Sequence, residues 1–225
     1  MYIVILVLLL AGSAHAATLT VCPSGCDFTD FQDAVNSASI GDEIHVISDA
    51  DAWYNKGVAL YDQGKRDEAL KAFEKAIELD PNNANAWTGK GLALGSQHKL
   101  DEALKAYDKA IELDPKIALP WYGKGLALGT QGALGAKGKY NEAIQCYDKA
   151  IELDPNFARA WNNKGLALAA QGKWDEALEA YDKAIDLEPK YADAWDNKGL
   201  ALLVLNRKIE AEAAFAKGKG LGYTG

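Results

Sequence analysis

Ala52-Trp53-Tyr54-Asn55-Lys56-Gly57-Val58-Ala59-Leu60 is a stretch the chain writes five times, returning as Ala86–Leu94, Pro120–Leu128, Ala160–Leu168 and Ala194–Leu202. The tryptophans keep the interval: Trp53, Trp87 and Trp121 are 34 residues apart, as are Trp161 and Trp195, and only the step from Trp121 to Trp161 is longer, at 40. A period of this size marks a repeat architecture, in which one unit cannot bury its own apolar face and neighbours stack to make a core. Such a chain offers a long surface and no enclosed pocket.

Each copy carries a second block. In the first it is Asp67-Glu68-Ala69-Leu70-Lys71-Ala72-Phe73, then Lys75-Ala76-Ile77-Glu78-Leu79-Asp80-Pro81. Its apolar residues at 69, 70, 73, 76 and 77 have helical spacing. Asp-Glu suits the positive end of the helix dipole, and Pro ends the helix. Gly64, Gly138 and Gly172 stand between the two blocks, where a left-handed residue would close the first helix; Asn206 tolerates the same conformation, and His98 is the exception. Each unit therefore reads as helix, tight turn, helix. The third copy has six extra residues, equivalent to Ala133–Gly138, with three glycines in 132–138, and this predicts a protruding loop.

These residues resemble the tetratricopeptide repeat, whose pattern is Trp, Gly, Ala, aromatic, Ala and Pro. The first copy supplies Trp53, Gly57, Ala69, Phe73, Ala76 and Pro81; the second Trp87, Gly91, Ala103, Tyr107, Ala110 and Pro115. The third supplies Trp121, Gly125, Ala143, Tyr147, Ala150 and Pro155, and the fourth Trp161, Gly165, Ala177, Tyr181, Ala184 and Pro189. The fifth keeps Trp195, Gly199, Ala211 and Phe215, then has Gly218 for the Ala and Tyr223 for the Pro. The resemblance implies an all-α fold, a right-handed solenoid of five helix-turn-helix repeats at 50–83, 84–117, 118–157, 158–191 and 192–225. Small residues let backbones approach while aromatics, the tryptophans included, fill the space between helices as core.

The resemblance further implies that the first helix of each pair lines a concave, peptide-binding groove. The residues at those positions are Tyr54, Val58 and Tyr61; Thr88 and Leu92; Tyr122 and Leu126; Arg159, Asn162 and Leu166; Asp196, Leu200 and Val204. Val or Leu follows the Gly in all five copies, a stripe that is either groove or core. The family's clamp for a C-terminal carboxylate needs Asn there, so a chaperone-tail ligand is not expected. Lys56, Lys90, Lys124, Lys164 and Lys198 form a second row, whose stems can cover apolar surface with the ammonium in water.

Upstream of the repeats the text changes. Ile3 to Leu10 is an unbroken apolar run followed by Ala14-His15-Ala16, so residues 1–16 read as a secretory signal peptide, although no Lys or Arg precedes the run. An uncleaved anchor is the other reading, but the run is shorter than the roughly 20 apolar residues of a spanning helix. Residues 17–49 hold six acids and no Lys or Arg; of the formal net charge of −8 they carry −6, leaving −2 for the repeats. With no basic concentration, nucleic acid and anionic lipid are not expected as partners. The order is strand-like Thr18–Cys22, a turn, helix-like Phe31–Ala38, a Gly41-Asp42 turn and strand-like Glu43–Ile47. This βαβ-like fragment resembles the opening cap of right-handed parallel β-helix proteins of archaeal cell surfaces. The coils that would carry a polysaccharide-acting site are replaced by the repeats.

Cys22 and Cys26 frame one turn and, in an exported chain, read as a disulfide; a metal site would need two more ligands, and His45 is the one near candidate. Cys146 stands where other copies carry Ala: a small apolar residue, or a thiol that links chains. No Ser-His-Asp order, nucleotide loop or zinc-type helix motif is present, so neither catalysis nor a cofactor is expected. The expectation is thus a secreted or cell-surface scaffold that holds a protein or peptide partner. The alternative is a structural component that self-associates head to tail through the last helix, where Ile209, Ala213, Ala214 and Phe215 have only the Gly-rich tail Lys217–Gly225 to cover them.

Overall fold

The computed structural model describes residues 18–21, 43–46, 48–136 and 138–222. The expected leader, the Cys22–Cys26 pair, the helix-like stretch Phe31–Ala38 and Tyr223 lie outside the described residues. Two strands, β1 (Thr18–Val21) and β2 (Glu43–Val46), pair in parallel with Thr18 opposite Glu43 and Val21 opposite Val46.

Ten helices follow among the described residues. They are α1 (Asp49–Asp62), α2 (Arg66–Leu79), α3 (Ala84–Ser96), α4 (Leu100–Leu113), α5 (Ala118–Ala133), α6 (Lys139–Leu153), α7 (Ala158–Ala170), α8 (Trp174–Leu187), α9 (Ala192–Val204) and α10 (Lys208–Gly220). The chain divides into two compact units, Met1–Ala93 and Leu94–Gly225. Odd-numbered helices are the Trp-bearing first helices of the pairs, and even-numbered ones are the second helices.

The helix ends have local causes. Ser48 caps α1, its Oγ accepting from the Asp51 N–H at 3.1 Å. The second helices lack such a side-chain cap and instead place acids, such as Asp67 and Glu68, in the first turn. They stop at Asp80, Asp114 and Asp154, each extended and followed by Pro, since Pro disfavours the helical conformation one residue before it. Those carboxylates then accept the backbone N–H two residues on, from Asn82 at 3.0 Å, Lys116 at 2.9 Å and Asn156 at 3.0 Å, which shapes the turn into the next repeat.

The turns inside the pairs correct two sequence expectations. His98 is no exception: its φ of 59° matches Asn206 at 60° and Gly64 and Gly172 at 78°. All four end their helix in the same way, with the next residue's N–H reaching the carbonyl of Leu60, Leu94, Leu168 or Leu202 at 2.9–3.1 Å. In the third repeat the left-handed residue is Gly135, with φ 112°, while Gly138 is right-handed at φ −61°. The extra residues lengthen α5 to 16 residues, against 13 in α3, α7 and α9, and α6 to 15, against 14 in α2, α4 and α8. Most of the insertion is therefore helix, with Tyr140 packed on Gly132.

The core is built by the aromatic of each second helix. Phe73, Tyr107, Tyr147 and Tyr181 are at most 3% exposed. Phe73 lies so close to Gly57 and Gly89 that a Cβ on either would meet the ring at 2.6 and 2.4 Å. The tryptophans are half-buried, which corrects their expected place in the core. They tie down the turn that precedes them: the indole N–H donates to the Pro81, Pro115, Pro155 and Pro189 carbonyls from Trp87, Trp121, Trp161 and Trp195, at 3.0, 3.1, 3.5 and 3.0 Å. The ammoniums of Lys56, Lys90, Lys164 and Lys198 lie 4.4–5.6 Å from the ring centres of Trp53, Trp87, Trp161 and Trp195.

The last helix takes in the start of the Gly-rich tail. Its glycines do not end it early, because α10 runs to Gly220. Gly218 is buried against α9, where a Cβ would stand 3.3 Å from the Ala192 carbonyl oxygen; this packing outweighs the weak helix propensity of glycine. Ile209 is 85% and Val204 56% exposed.

Candidate functional site

The stripe that follows the repeat Gly is surface. Val58 is 37%, Leu166 43% and Leu200 49% exposed, and Leu92 and Leu126 are half-buried. From the second repeat on, the next residue takes the core: Ala93, Ala127, Ala167 and Ala201 are no more than 4% exposed. A helix turns 100° per residue, so one residue faces the neighbouring helices and the one before it faces out.

In the first unit, Tyr54 tilts on Phe73 with ring centres 6.0 Å apart, and burial pushes its phenol above the ordinary range. Tyr61 is half-buried beneath the Arg66 guanidinium, 4.0 Å from the ring centre, and Arg66 also donates to the Tyr61 carbonyl. Thr88 is buried, its hydroxyl donating to the Ala84 carbonyl at 2.8 Å. It therefore offers a ligand nothing.

In the second unit, polar and aromatic groups gather beside the leucines. Tyr122 stacks at 4.7 Å on Phe157 and 6.1 Å from Tyr147. Its hydroxyl accepts from Asn163 Nδ2 at 3.1 Å, and the same nitrogen donates to the Arg159 carbonyl at 2.8 Å. Asn162 is 3% exposed and its Oδ1 accepts from Asn197 Nδ2 at 3.0 Å, so it joins α7 to α9 and does not face solvent. Arg159 is exposed and acts on both the Tyr122 and Tyr191 phenols. Burial, then Tyr191, pushes Tyr122 up to about 12, and Arg159 opposes the shift. Tyr191 is raised chiefly by burial. Asp196 is half-buried.

Of the thirteen groove positions, Thr88 and Asn162 are thus closed, and the others expose some surface. Phe157, Asn163, Tyr191 and Asn197 were missed. Asn163 and Asn197 had a signal, standing where repeats two and three carry Gly89 and Gly123. Cys146 is buried, its thiol pushed up to about 11 by burial above all, with Lys124 opposing and Asp108 and Glu142 adding, as befits a small apolar residue.

Among the described residues no group of three or more His, Cys, Asp or Glu could hold a metal ion, and no helix is long and apolar enough to cross a membrane.

The tetratricopeptide repeat profile matches residues 50–83, 84–117 and 158–191, and a second TPR repeat profile matches 133–172, together more than half of the chain. A search of curated proteins finds no match. Among solved structures, the crystal structure of MamA is 27% identical, over 73% of this chain and 93% of that one, with a TM-score of 0.62. YrrB, described as a TPR protein with an unusual peptide-binding site, is 25% identical over 77% of this chain and 87% of its own, with a TM-score of 0.59. A thermophilic TPR protein of Thermus thermophilus, 22% identical over 77% of this chain and 91% of its own, shares the fold with a TM-score of 0.67. These likenesses support a scaffold for protein–protein interaction. Paired helices closed by left-handed residues, aromatics seated on glycines and the profile matches agree, and the chain belongs to the tetratricopeptide repeat family.

Proposed function

We propose that the protein is an exported scaffold whose first helices bind an extended or helical peptide segment of a partner. The observation that carries this reading is the exposed Leu166 and Leu200 beside buried Ala167 and Ala201, an apolar strip that the protein's own packing does not use. Tyr122, Asn163 and exposed Arg159 border it with a hydroxyl, an amide and a cation, which suits a peptide with apolar side chains and a polar or acidic flank. In the first unit, Val58 and Leu92 with Tyr54 supply the corresponding apolar surface. Export rests on the 1–16 leader and predicts a mature chain beginning near Ala17, read by intact mass of protein recovered outside the cell.

A displayed peptide library selected on the full chain tests the binding reading. Selected peptides should share spaced apolar residues and lose binding to Leu166→Asp and Leu200→Asp, while both variants keep wild-type helical signal. Peptides that bind wild type and both variants equally would reject the groove.

A further inference from the structure

Contacts between successive repeats follow one polar pattern. A carboxylate on each second helix pairs with the Lys of the next first helix: Glu74 with Lys90 at 3.0 Å, and Asp108, Asp148 and Asp182 with Lys124, Lys164 and Lys198 at 2.6 Å. Seven residues earlier, a second acceptor receives the Gln near the end of that first helix: Asp101 from Gln131 and Asn141 from Gln171, both at 2.8 Å. Positions seven apart lie on one helical face, so each incoming helix reads as a polar pair with an aromatic just before the second member. The receiving face supplies Lys and a small residue, the Ala that is at most 4% exposed in α3, α5, α7 and α9, together with a Gln that only the fifth repeat replaces, by Leu205.

The first repeat carries the same receiving set, and among the described residues Lys56 meets only the Trp53 ring of its own helix. Lys56, Ala59 and Gln63 occupy the same register, and all three are exposed, as is Asn55, which stands where Gly89 and Gly123 meet the aromatic of the preceding helix. No carboxylate of the described residues pairs with Lys56. The other end of the pattern is erased. In α10 the acid positions are Ile209 and Ala216, on either side of Phe215, so the last helix can satisfy neither Lys56 nor Gln63 of another copy. Nor do residues 17–49 contain a Phe or Tyr followed by an acid.

We infer that the outward face of α1 docks a helix of a different protein, one with an acid or Asn and a second acid seven residues apart and an aromatic before the second acid. The chemistry is that of a tetratricopeptide second helix supplied in trans. Charge complementarity to Lys56 and continuity with the repeat-to-repeat contacts already in the chain both specify it, and the substitutions in α10 turn away head-to-tail stacking of this chain on itself.

The probe is a peptide with the α4 sequence Leu100–Asp114, stapled as a helix on its outward side and titrated onto the full chain by fluorescence anisotropy. Saturable binding is expected, weakened roughly tenfold or more by Lys56→Glu and lost with Ala59→Arg, as expected for losing one charge pair and filling one close approach. Asp108→Lys in the peptide should weaken binding to wild type and recover it on the Lys56→Glu chain. Leu166→Asp, the groove variant, should leave it unchanged, which separates this surface from the peptide groove. No binding to wild type, or binding indifferent to the charge reversals and to Ala59→Arg, overturns the inference, and concentration-dependent chains of the protein alone would overturn it by assigning the face to a second copy.

Discussion

Gly165→Ala is expected to destabilise the protein although it improves the helix. A Cβ built on Gly165 in α7 falls 2.5 Å from Tyr181 Cε1 and 2.8 Å from Cδ1, whereas carbon contacts are comfortable at about 3.5–4.0 Å. The ring is 2% exposed and has no free volume to enter, so it or α7 must shift by about 1 Å. Overpacking of this kind costs roughly 1–3 kcal/mol, against about 1 kcal/mol gained by replacing Gly with Ala within a helix. Gly129→Ala is the control, because its Cβ would stand 3.5 Å from the Tyr147 hydroxyl, an ordinary contact, and should keep the whole gain. Both variants share the helix gain, so the overpacking alone separates them by about 1–3 kcal/mol, or roughly 2–12 °C in melting temperature for a chain of this size. Thermal and urea unfolding followed by circular dichroism would measure the gap, with hydrogen exchange reporting whether the loss centres on α7 and α8. If Gly165→Ala melts level with or above Gly129→Ala, the aromatic-on-glycine account of the core is wrong.

His98→Gly should stabilise by about 1 kcal/mol, since a left-handed backbone strains any residue with a Cβ; unchanged urea midpoints would show that the turn relaxes around histidine. Trp195→Phe, which loses the 3.0 Å bond to Pro189, should cost about 0.5–1.5 kcal/mol, and Trp195→Ala more; equal loss would mean packing alone matters. Lys164→Met should cost no more than about 1 kcal/mol, and the deficit should shrink in high salt, because the pair with Asp148 is half open to solvent. Alkaline pH should weaken the fold: an unfolded phenol ionises near 10 and Tyr122 near 12, so stability holds below pH ~10 and falls as pH rises towards 12. Ionisation of the Tyr122 ring itself well before helix loss, followed by its absorbance difference from a Tyr122→Phe chain, would contradict its burial.

Repeat length, helix pairing and Pro-terminated second helices were legible in the sequence because they depend on local rules: a 34-residue period, Asp-Glu starts and residues that cannot precede Pro in a helix. What escaped depended on neighbours. Trp87, Trp121, Trp161 and Trp195 read as core because aromatics usually are, yet the indole N–H needs an acceptor and finds the Pro carbonyl at the edge. Gly218 reads as a helix breaker until the approach of α9 is known. Gly135 replaced Gly138 because a lengthened α5 moved the cap, which spacing alone does not reveal. In the candidate site, the outward Leu stripe followed from position, but Asn162 was claimed by Asn197 across a helix pair, a partnership no single repeat encodes.

The pairing of Asp101, Tyr107 and Asp108 on α4 with Gln131, Gly123 and Lys124 on α5 has a polar counterpart in Asn141 and Asp148 on α6 with Gln171 and Lys164 on α7. The polar joints are interchangeable. Joining residue 117 directly to 158 would excise the long third repeat and bring α4 onto α7 with an acid for each donor already in place, while Tyr107 would meet Asn163 where Gly123 now leaves it room. A gene that gains or loses such a cassette keeps its polar contacts, so the length of this protein can change in a single step with one aromatic seat left to adapt.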